Sequence, residues 1–412
     1  MLHPQDVAVI LLNYNGAQDT IACLHSLYSL ETLPGAIIVV DNASVDDSVT
    51  RIMSAWRQWS TPRLVHAQNP GEKEEPAKAV LLQLDENNGY ASGNNAGIRL
   101  AKSLTSCTAY WILNNDTEPD RYALNTLCAR YNQAKSLALV GSTLVFSYDE
   151  ETIQCAGGGK LVPYLGLTGH LHQGEKIKDL DTINIDETEK ELGYITGASL
   201  LLHEEALRRI GMIREDFFLY LEDTDFSIRA RKAGIPLLWA RDSIVFHKEG
   251  GTTGAASANN AYFQRPLWVD YLMLRNRARL VRDHYPLGIP LLCASYLAVA
   301  FKRLLRKQPD RVPLVFKALW HGLAARWANR TGCADPPASC PIPRMLSTVR
   351  PLSLLSPAFP RRRHRFVTKP ATQNMPHSQT IPQETGRGKH LSTHTGISGH
   401  PGRSGPFRGR QQ

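Results

Sequence analysis

The sequence predicts an α/β fold, a parallel sheet covered by helices on both faces. Short apolar, β-branched runs alternate four times with segments of helical period. The runs end in polar loops rich in Asn, Asp and Gly, as strands feeding ligand loops do. The chain's 412 residues, 42% of them hydrophobic and 21% charged, suffice for a sizeable core in one of two or three domains.

The first run, Val7–Leu12, reads as a buried strand ending at Asn13-Tyr14-Asn15-Gly16. Ile21, Leu24, Leu27, Tyr28 and Leu30 follow at helical spacing. Ala36–Val40 is a second strand, stopped by Asp41-Asn42; Ser44 and Asp47 then open a helix through Ile52 and Trp56. Val80–Leu84 is the third strand. A Gly-rich turn at Gly89–Gly97 leads into a helix carrying Ile98 and Leu100, and Tyr110–Leu113 is the fourth strand, with a helix expected to begin near Pro119. Residues 147–192 read as an irregular or hairpin region, and Tyr194–Leu202 as a further apolar segment. Phe217–Leu221 precedes Glu222-Asp223-Thr224-Asp225 and a helix ending at Gly234; Leu237–Trp239 and Ile244–Phe246 read as two short strands, the second closed by His247. From Trp268 to Arg330 the pattern is helical, apolar and basic, and beyond Cys333 it is polar and expected to be disordered.

Four loops fall at the carboxyl ends of strands: Asn13–Gly16, Asp41–Ser44, Asn87–Gly97 and Asn114–Asp116. Asp41 ends a buried strand, where its carboxylate serves either as a turn or helix-cap group or as an acceptor for a pyrimidine N3–H. The glycines of Asn88–Gly97 allow close backbone approach, and the helix start favours negative charge. A carboxylate at Asp116 suits a hard cation, with an Asx turn as the structural alternative. The cluster Glu222, Asp223 and Asp225 follows an aromatic run, a costly placement unless it serves charge or metal chemistry; Asp225 also suits a helix cap.

In this order and spacing, Val7–Gly16, Val39–Ser44, Asn88–Gly97, Leu113–Asp116 and Leu221–Arg229 resemble the successive motifs of family 2 glycosyltransferases, with the flavour of the bacterial rhamnosyltransferase-like branch. The resemblance covers residues 5–285. It implies the GT-A nucleotide-diphospho-sugar transferase fold, a Rossmann-like mixed sheet flanked by helices, with a C-terminal helical segment and disordered tail. It implies a catalytic domain over residues 1–265, its nucleotide-binding half about 1–135 and its acceptor half about 136–265; the composition beyond it adds a basic helical segment 266–332, expected at a membrane, and the tail 333–412. It further implies inverting transfer from a nucleoside diphosphate sugar, dTDP-rhamnose or a UDP-sugar, to a glycan or lipid-linked acceptor in cell-surface polysaccharide synthesis. By position in the motifs, Asp223 is the base and Glu222 orients acceptor or metal. Asn13, Asn15, Asp41, Asn88, Gly89, Asn94 and Asn115 contact the donor, and Asp116 with His247 holds Mg²⁺ or Mn²⁺. Asn114-Asn115-Asp116 departs from the family's DxD by keeping only its last carboxylate.

The alternatives are a nucleotidyltransferase and a non-catalytic carbohydrate-binding protein; Val7–Gly16 lacks the basic Gly-rich loop the former needs. The net charge of +9 suits phosphorylated substrates or anionic lipid. Arg361–Arg365 lacks interleaved aromatics, so no nucleic-acid partner is expected. Leu287–Phe301 is short for a bilayer span and is followed by Lys302, Arg303, Arg306 and Lys307, which predicts a peripheral seat on the inner face of the cell membrane. The opening residues form no signal peptide, and of the seven cysteines Cys23, Cys107, Cys128 and Cys155 have no zinc or redox spacing, so reduced thiols in a cytoplasmic protein are expected, with Cys333 and Cys340 in a Pro-rich stretch left open.

Overall fold

A computed structural model describes residues 1–67, 77–134, 136–248 and 266–324. The elements run β1 (Val7–Asn13), α1 (Ala17–Tyr28), β2 (Ala36–Asp41), α2 (Ser48–Trp56), β3 (Arg63–His66), β4 (Ala79–Gln83), α3 (Tyr90–Leu104), β5 (Ala109–Asn114), β6 (Thr117–Pro119) and α4 (Ala123–Gln133). Then come β7 (Leu139–Phe146), β8 (Asp149–Ala156), β9 (Gly158–Val162), β10 (Leu167–His170), α5 (Ile185–Glu191), β11 (Tyr194–Ile195), β12 (Ser199–His203), α6 (Glu204–Ile210), α7 (Glu222–Lys232) and β13 (Leu237–His247). Three helices, α8 (Leu267–His284), α9 (Ile289–Leu305) and α10 (Val312–Ala324), complete the described chain; the expected tail 333–412 lies outside it.

The main sheet is mixed, in the order β3-β4-β2-β1-β5-β12-β7-β13-β6 with β8 on β7. From β3 to β5 the pairs are parallel, and β12 runs antiparallel between β5 and β7. Each parallel strand carries an unbroken apolar run because both faces are buried. Val7, Val9 and Leu11 face the helical layer of Leu24, Leu27 and Trp56, while Ala8 and Ile10 face that of Ile98 and Ala101. This is the expected GT-A arrangement of a mixed sheet flanked by helices. The order places a crossover on either side of β1, so the carboxyl ends of β1 and β5 border the crevice where such sheets bind ligands.

Several elements depart from the sequence reading. No helix begins at Pro119; Thr117–Pro119 is a strand, paired antiparallel with Val245–His247, and the helix starts at Ala123. The proline ends an edge strand, where its missing N–H costs nothing. Leu237–His247 is one strand with a register shift between Ala240 and Ile244, not two. Arg63–His66 is a strand the periodicity missed, since only Val65 in it is buried. Residues 147–192 contain β-hairpin structure, including a second three-stranded sheet β10-β9-β11 completed at Tyr194. The cysteines at 23, 107, 128, 155 and 293 are free, and burial pushes the Cys23 and Cys128 thiols up to about 12.

The Gly-rich stretch is not a turn either. Helix α3 starts at Tyr90, and Gly93 and Gly97 lie inside it against the sheet. A Cβ at Gly97 would stand 2.7 Å from a methyl of Ile10 and 2.8 Å from one of Val40. These glycines therefore set how closely α3 lies on β1 and β2. Gly97→Val should destabilise the protein by about 3 kcal/mol through overpacking. Urea unfolding measures this, and an unchanged midpoint would refute the close-approach account.

Candidate active site

Two loops at the ends of β1 and β2 are tied by one buried network. The Asn13 amide donates to Asp41 Oδ1 at 2.7 Å and to Ser44 Oγ at 3.1 Å, while its own oxygen accepts from Thr20 at 2.8 Å. Asp41 also accepts from the Ser44 hydroxyl and the Ser44 N–H. Asn115 joins through Thr20 at 3.0 Å. Asn15, exposed and left-handed at φ 52°, closes the second loop by accepting from the Val45 N–H. The structure thus gathers Asn13, Asn15, Asp41 and Asn115. Asp41 is fully buried, so a base reaches its carboxylate only if the Ser44 loop moves aside. Asn88 lies exposed in the turn before α3, apart from this network, and Asn94 is buried with its amide on the Tyr90 carbonyl.

The unexpected strand β6 seats Asp116. Its pairing with β13 brings Asp116 Oδ1 within 3.2 Å of His247 Nε2, and the Lys248 N–H donates to the Asp116 carbonyl. His247 Nδ1 hydrogen-bonds Gln154 Oε1 at 2.9 Å, which fixes the ring with Nε2 toward the carboxylate. Burial raises the Asp116 carboxyl, but the hydrogen bond and charge of His247 outweigh it and leave its pKa below the usual value. A divalent cation between the two groups would take the place of the proton that His247 Nε2 donates to the carboxylate. Among the described residues no group of three His, Cys, Asp or Glu forms a metal site, so this pair would supply two ligands. Lys248 is engaged by Asp19 and Glu118.

The acidic turn stands at the start of α7. Asp223, part-exposed, accepts from the Gly197 N–H at 3.1 Å and the Thr224 N–H at 2.6 Å. Glu222 is buried, and its Oε2 has no hydrogen-bond partner. Burial, then the charge of Asp223, pushes Glu222 up to about 8; burial raises Asp223 as well. Tyr90, whose hydroxyl donates to the Gly197 carbonyl at 2.7 Å, sits among them. Burial and then the charges of Glu222 and Asp223, with a smaller effect from Asp116, raise its phenol well above normal. Asp225 belongs elsewhere. Burial alone would raise it, but the hydrogen bond from His284 and the charges of Arg229 and Arg214 hold it at about 2. It is an ion-pair hub between α7 and α8.

The approach to Glu222 is strained. Phe218, Tyr220 and Leu221 have φ of 66°, 73° and 68°, a region that costs side chains of this size about 1–2 kcal/mol each. One buried side chain on α8 holds them. The Asn276 amide donates to the carbonyls of Phe217, Leu219 and Tyr220 at 3.0, 2.8 and 2.8 Å, and Arg275 donates to Asn276 Oδ1 and to the Phe217 carbonyl. The same turn meets α3. The Tyr90 N–H donates to the Phe218 carbonyl at 2.6 Å, and a Cβ at Gly89, itself at φ 95°, would lie 2.3 Å from that oxygen. Asn276, Gln154 and Tyr90 were missed in the sequence. An Asn inside a basic helix and a Gln inside a strand carry no local signal, and Tyr90 was masked by the glycines around it.

Residues 8–211 match the family model for glycosyl transferase family 2. The chain carries a family 2 glycosyltransferase domain. It is an enzyme of that class, and relatives with the same chemistry in their names support this. A low-salt glycan biosynthesis hexosyltransferase of Haloferax volcanii is 24% identical over 339 residues, 79% of this chain and 92% of the relative. An N-acetylglucosaminyl-diphospho-decaprenol L-rhamnosyltransferase of Mycobacterium tuberculosis is 29% identical over 76 residues, 18% of this chain and 25% of its own. Among solved structures, a mannosyltransferase of Pyrobaculum calidifontis in complex with GDP-Man and Mn²⁺ aligns at TM-score 0.43 and 16% identity, covering 83% of this chain and 79% of that one.

The lock on the acidic turn yields a prediction for Asn276→Asp, which keeps the shape and the Arg275 contact but sets a carboxylate against three carbonyl oxygens. kcat should fall about 100-fold, with donor affinity within about 3-fold of wild type. Steady-state kinetics beside a donor titration separate the two. A parallel loss of both would mean that Asn276 supports the fold alone.

Proposed function

We propose that the chain is an inverting glycosyltransferase that uses a nucleoside diphosphate sugar, dTDP-rhamnose or a UDP-sugar, and a hydroxyl of a glycan or lipid-linked acceptor. The observation that carries this reading is the carboxylate pair Glu222 and Asp223, set at a helix start beside Tyr90, whose phenol feels both of them and Asp116. The acceptor oxygen attacks the anomeric carbon as the bond to the diphosphate breaks. The hydroxyl proton passes to Asp223, and the nucleoside diphosphate departs with the bonding electrons. Glu222, neutral below about pH 8, donates a hydrogen bond to the acceptor or to the sugar. Asn13, Asn15, Asp41 and Asn115 shape the nucleoside subsite, and the helix start that Gly89 caps favours the charge of the diphosphate. Asn88 and Asn94 complete the donor contacts in this reading.

Asp116 and His247 fit a divalent cation, Mg²⁺ or Mn²⁺, with Gln154 orienting the imidazole. The ion would offset charge on the departing diphosphate. In this division residues 1–135 hold the donor, 136–265 the acceptor, and 266–332 the membrane. The acceptor's lipid carrier would place the enzyme on the cytoplasmic face of the cell membrane, in cell-surface polysaccharide synthesis.

Two measurements test the chemistry. Asp223→Asn should lower kcat by about 10² to 10⁴, while Glu222→Gln, isosteric with the neutral acid, keeps most of the turnover at pH 7. The rate of wild type should rise with pH as Asp223 ionises. It should then change again near pH 8 as Glu222 loses its proton, a limb that Glu222→Gln removes. Near-normal rates for Asp223→Asn would end the assignment. For the metal, Gln154→Ala should raise the Mn²⁺ needed for half-maximal rate about 10- to 100-fold, and Asp116→Ala or His247→Ala at least as much. Full turnover in excess EDTA would show that the pair holds no catalytic ion.

A further inference from the structure

Helices α9 and α10 present an apolar face that the rest of the described protein leaves uncovered. On α9, Leu292, Tyr296 and Ala300 are buried, at a spacing that defines one face toward α8 and α10. The opposite stripe carries Leu291, Leu297, Phe301, Leu304 and Leu305, with Phe301 62% exposed, and Leu287, in the turn just before the helix, is 88% exposed. Phe316 and Trp320, the latter 70% exposed, extend the apolar surface onto α10. Neither helix contains an Asp or Glu. Lys302, Arg306, Lys307 and Lys317 are exposed beside the apolar stripe, and none pairs with a carboxylate among the described residues. Arg303 and Arg311 differ, being taken up by the buried Asp270.

We propose that this face is a docking surface for an anionic lipid bilayer, with α9 lying in the plane of the headgroups. Pro286–Leu305 has the length and composition to cross a membrane. The side chains argue for lying flat. Tyr296 donates to the Leu274 carbonyl and Arg277 donates to Ser295, so one face of α9 is fastened to the catalytic domain through α8. A spanning helix would have to surrender these bonds and draw Arg277 into hydrocarbon. An in-plane seat keeps them, buries the leucines and Phe301, sets Trp320 at the interfacial depth that suits indole, and points four cations at lipid phosphates. The site lies close behind. Leu314 and Ala318 of α10 pack with Tyr271 and Leu272 of α8 against Phe218, Leu219 and Tyr220, the strained approach to Glu222. An acceptor hydroxyl on a lipid carrier would thus meet the acidic turn one helix away from the bilayer. The biological purpose rests on the lipid-linked reading of the acceptor; the surface itself does not.

Vesicle flotation of the full chain, without donor or acceptor, tests the surface separately from the chemistry. The protein should float with vesicles of phosphatidylcholine and phosphatidylglycerol at low salt, and much less with phosphatidylcholine alone or at 1 M salt. Leu297→Glu with Phe301→Glu should abolish flotation while the urea unfolding midpoint stays near wild type. Arg306→Glu with Lys307→Glu should weaken anionic binding by at least about 5-fold per charge removed. No flotation at low salt, or flotation of Leu297→Glu/Phe301→Glu equal to wild type, overturns the proposal. So does resistance to carbonate extraction, which would mark a spanning helix. A dimer in solution that Leu297→Glu/Phe301→Glu dissolves, without any vesicle binding, would assign the face to a second copy instead. If flotation succeeds and transfer to every lipid-linked acceptor fails, the acceptor reading falls and the surface stands.

Discussion

Three carbonyl oxygens, those of Phe217, Leu219 and Tyr220, converge on one buried amide nitrogen, that of Asn276. Without that amide the buried Phe217 carbonyl and the half-buried ones of Leu219 and Tyr220 would need other partners, and an unmet buried acceptor costs about 1–3 kcal/mol. The left-handed backbone of Phe218, Tyr220 and Leu221 persists because this convergence over-determines it. Everything that makes the acidic pair usable depends on the result. Helix α7 begins where it does, Asp223 reaches the Gly197 N–H, and Glu222 is sealed deeply enough to retain a proton near neutrality. The constraint comes from α8, outside the matched family segment, so the acidic turn is not independent of the helices that follow it.

Much of the sheet was legible because parallel strands buried on both faces must be apolar throughout. Val7–Leu12, Ala36–Val40, Val80–Leu84 and Tyr110–Leu113 each announce themselves in that way, and their loops fall on one edge as expected. What escaped was set by partners distant in sequence. Arg63–His66 has one buried residue and becomes a strand only because Ala79–Gln83 offers its edge. Thr117–Pro119 looks like a helix start until Val245–His247 pairs with it. The error at Pro119 mattered, since the same pairing carries Asp116 to His247.

The site was legible in its carboxylates and less so in its supports. Glu222 and Asp223 stand out because acidic residues behind an aromatic run are expensive to bury. Their neighbour Asp225 has the same chemistry and a different fate, because Arg214, Arg229 and His284 surround it; only tertiary structure distinguishes a carboxylate left without a cation from one kept paired. Asn276 and Gln154 act through other residues, and their types are ordinary for a helix and a strand. No residue pattern along the chain marks such supports.

The hydrogen bond between the Tyr90 N–H and the Phe218 carbonyl, with Gly89 admitting no side chain beside it, has a consequence for how variants of this protein can be assembled. The loop that precedes α3 and the turn that precedes α7 share a single interface about 130 residues apart in sequence. They cannot be exchanged one at a time. A chimera that borrows the loop before α3 from a relative while keeping the native acidic turn, or the reverse, mismatches both at the point of contact. Grafting new specificity onto this scaffold therefore means moving three separated stretches together: the glycine of the first, the left-handed turn of the second, and the asparagine on α8 that keeps the turn in place.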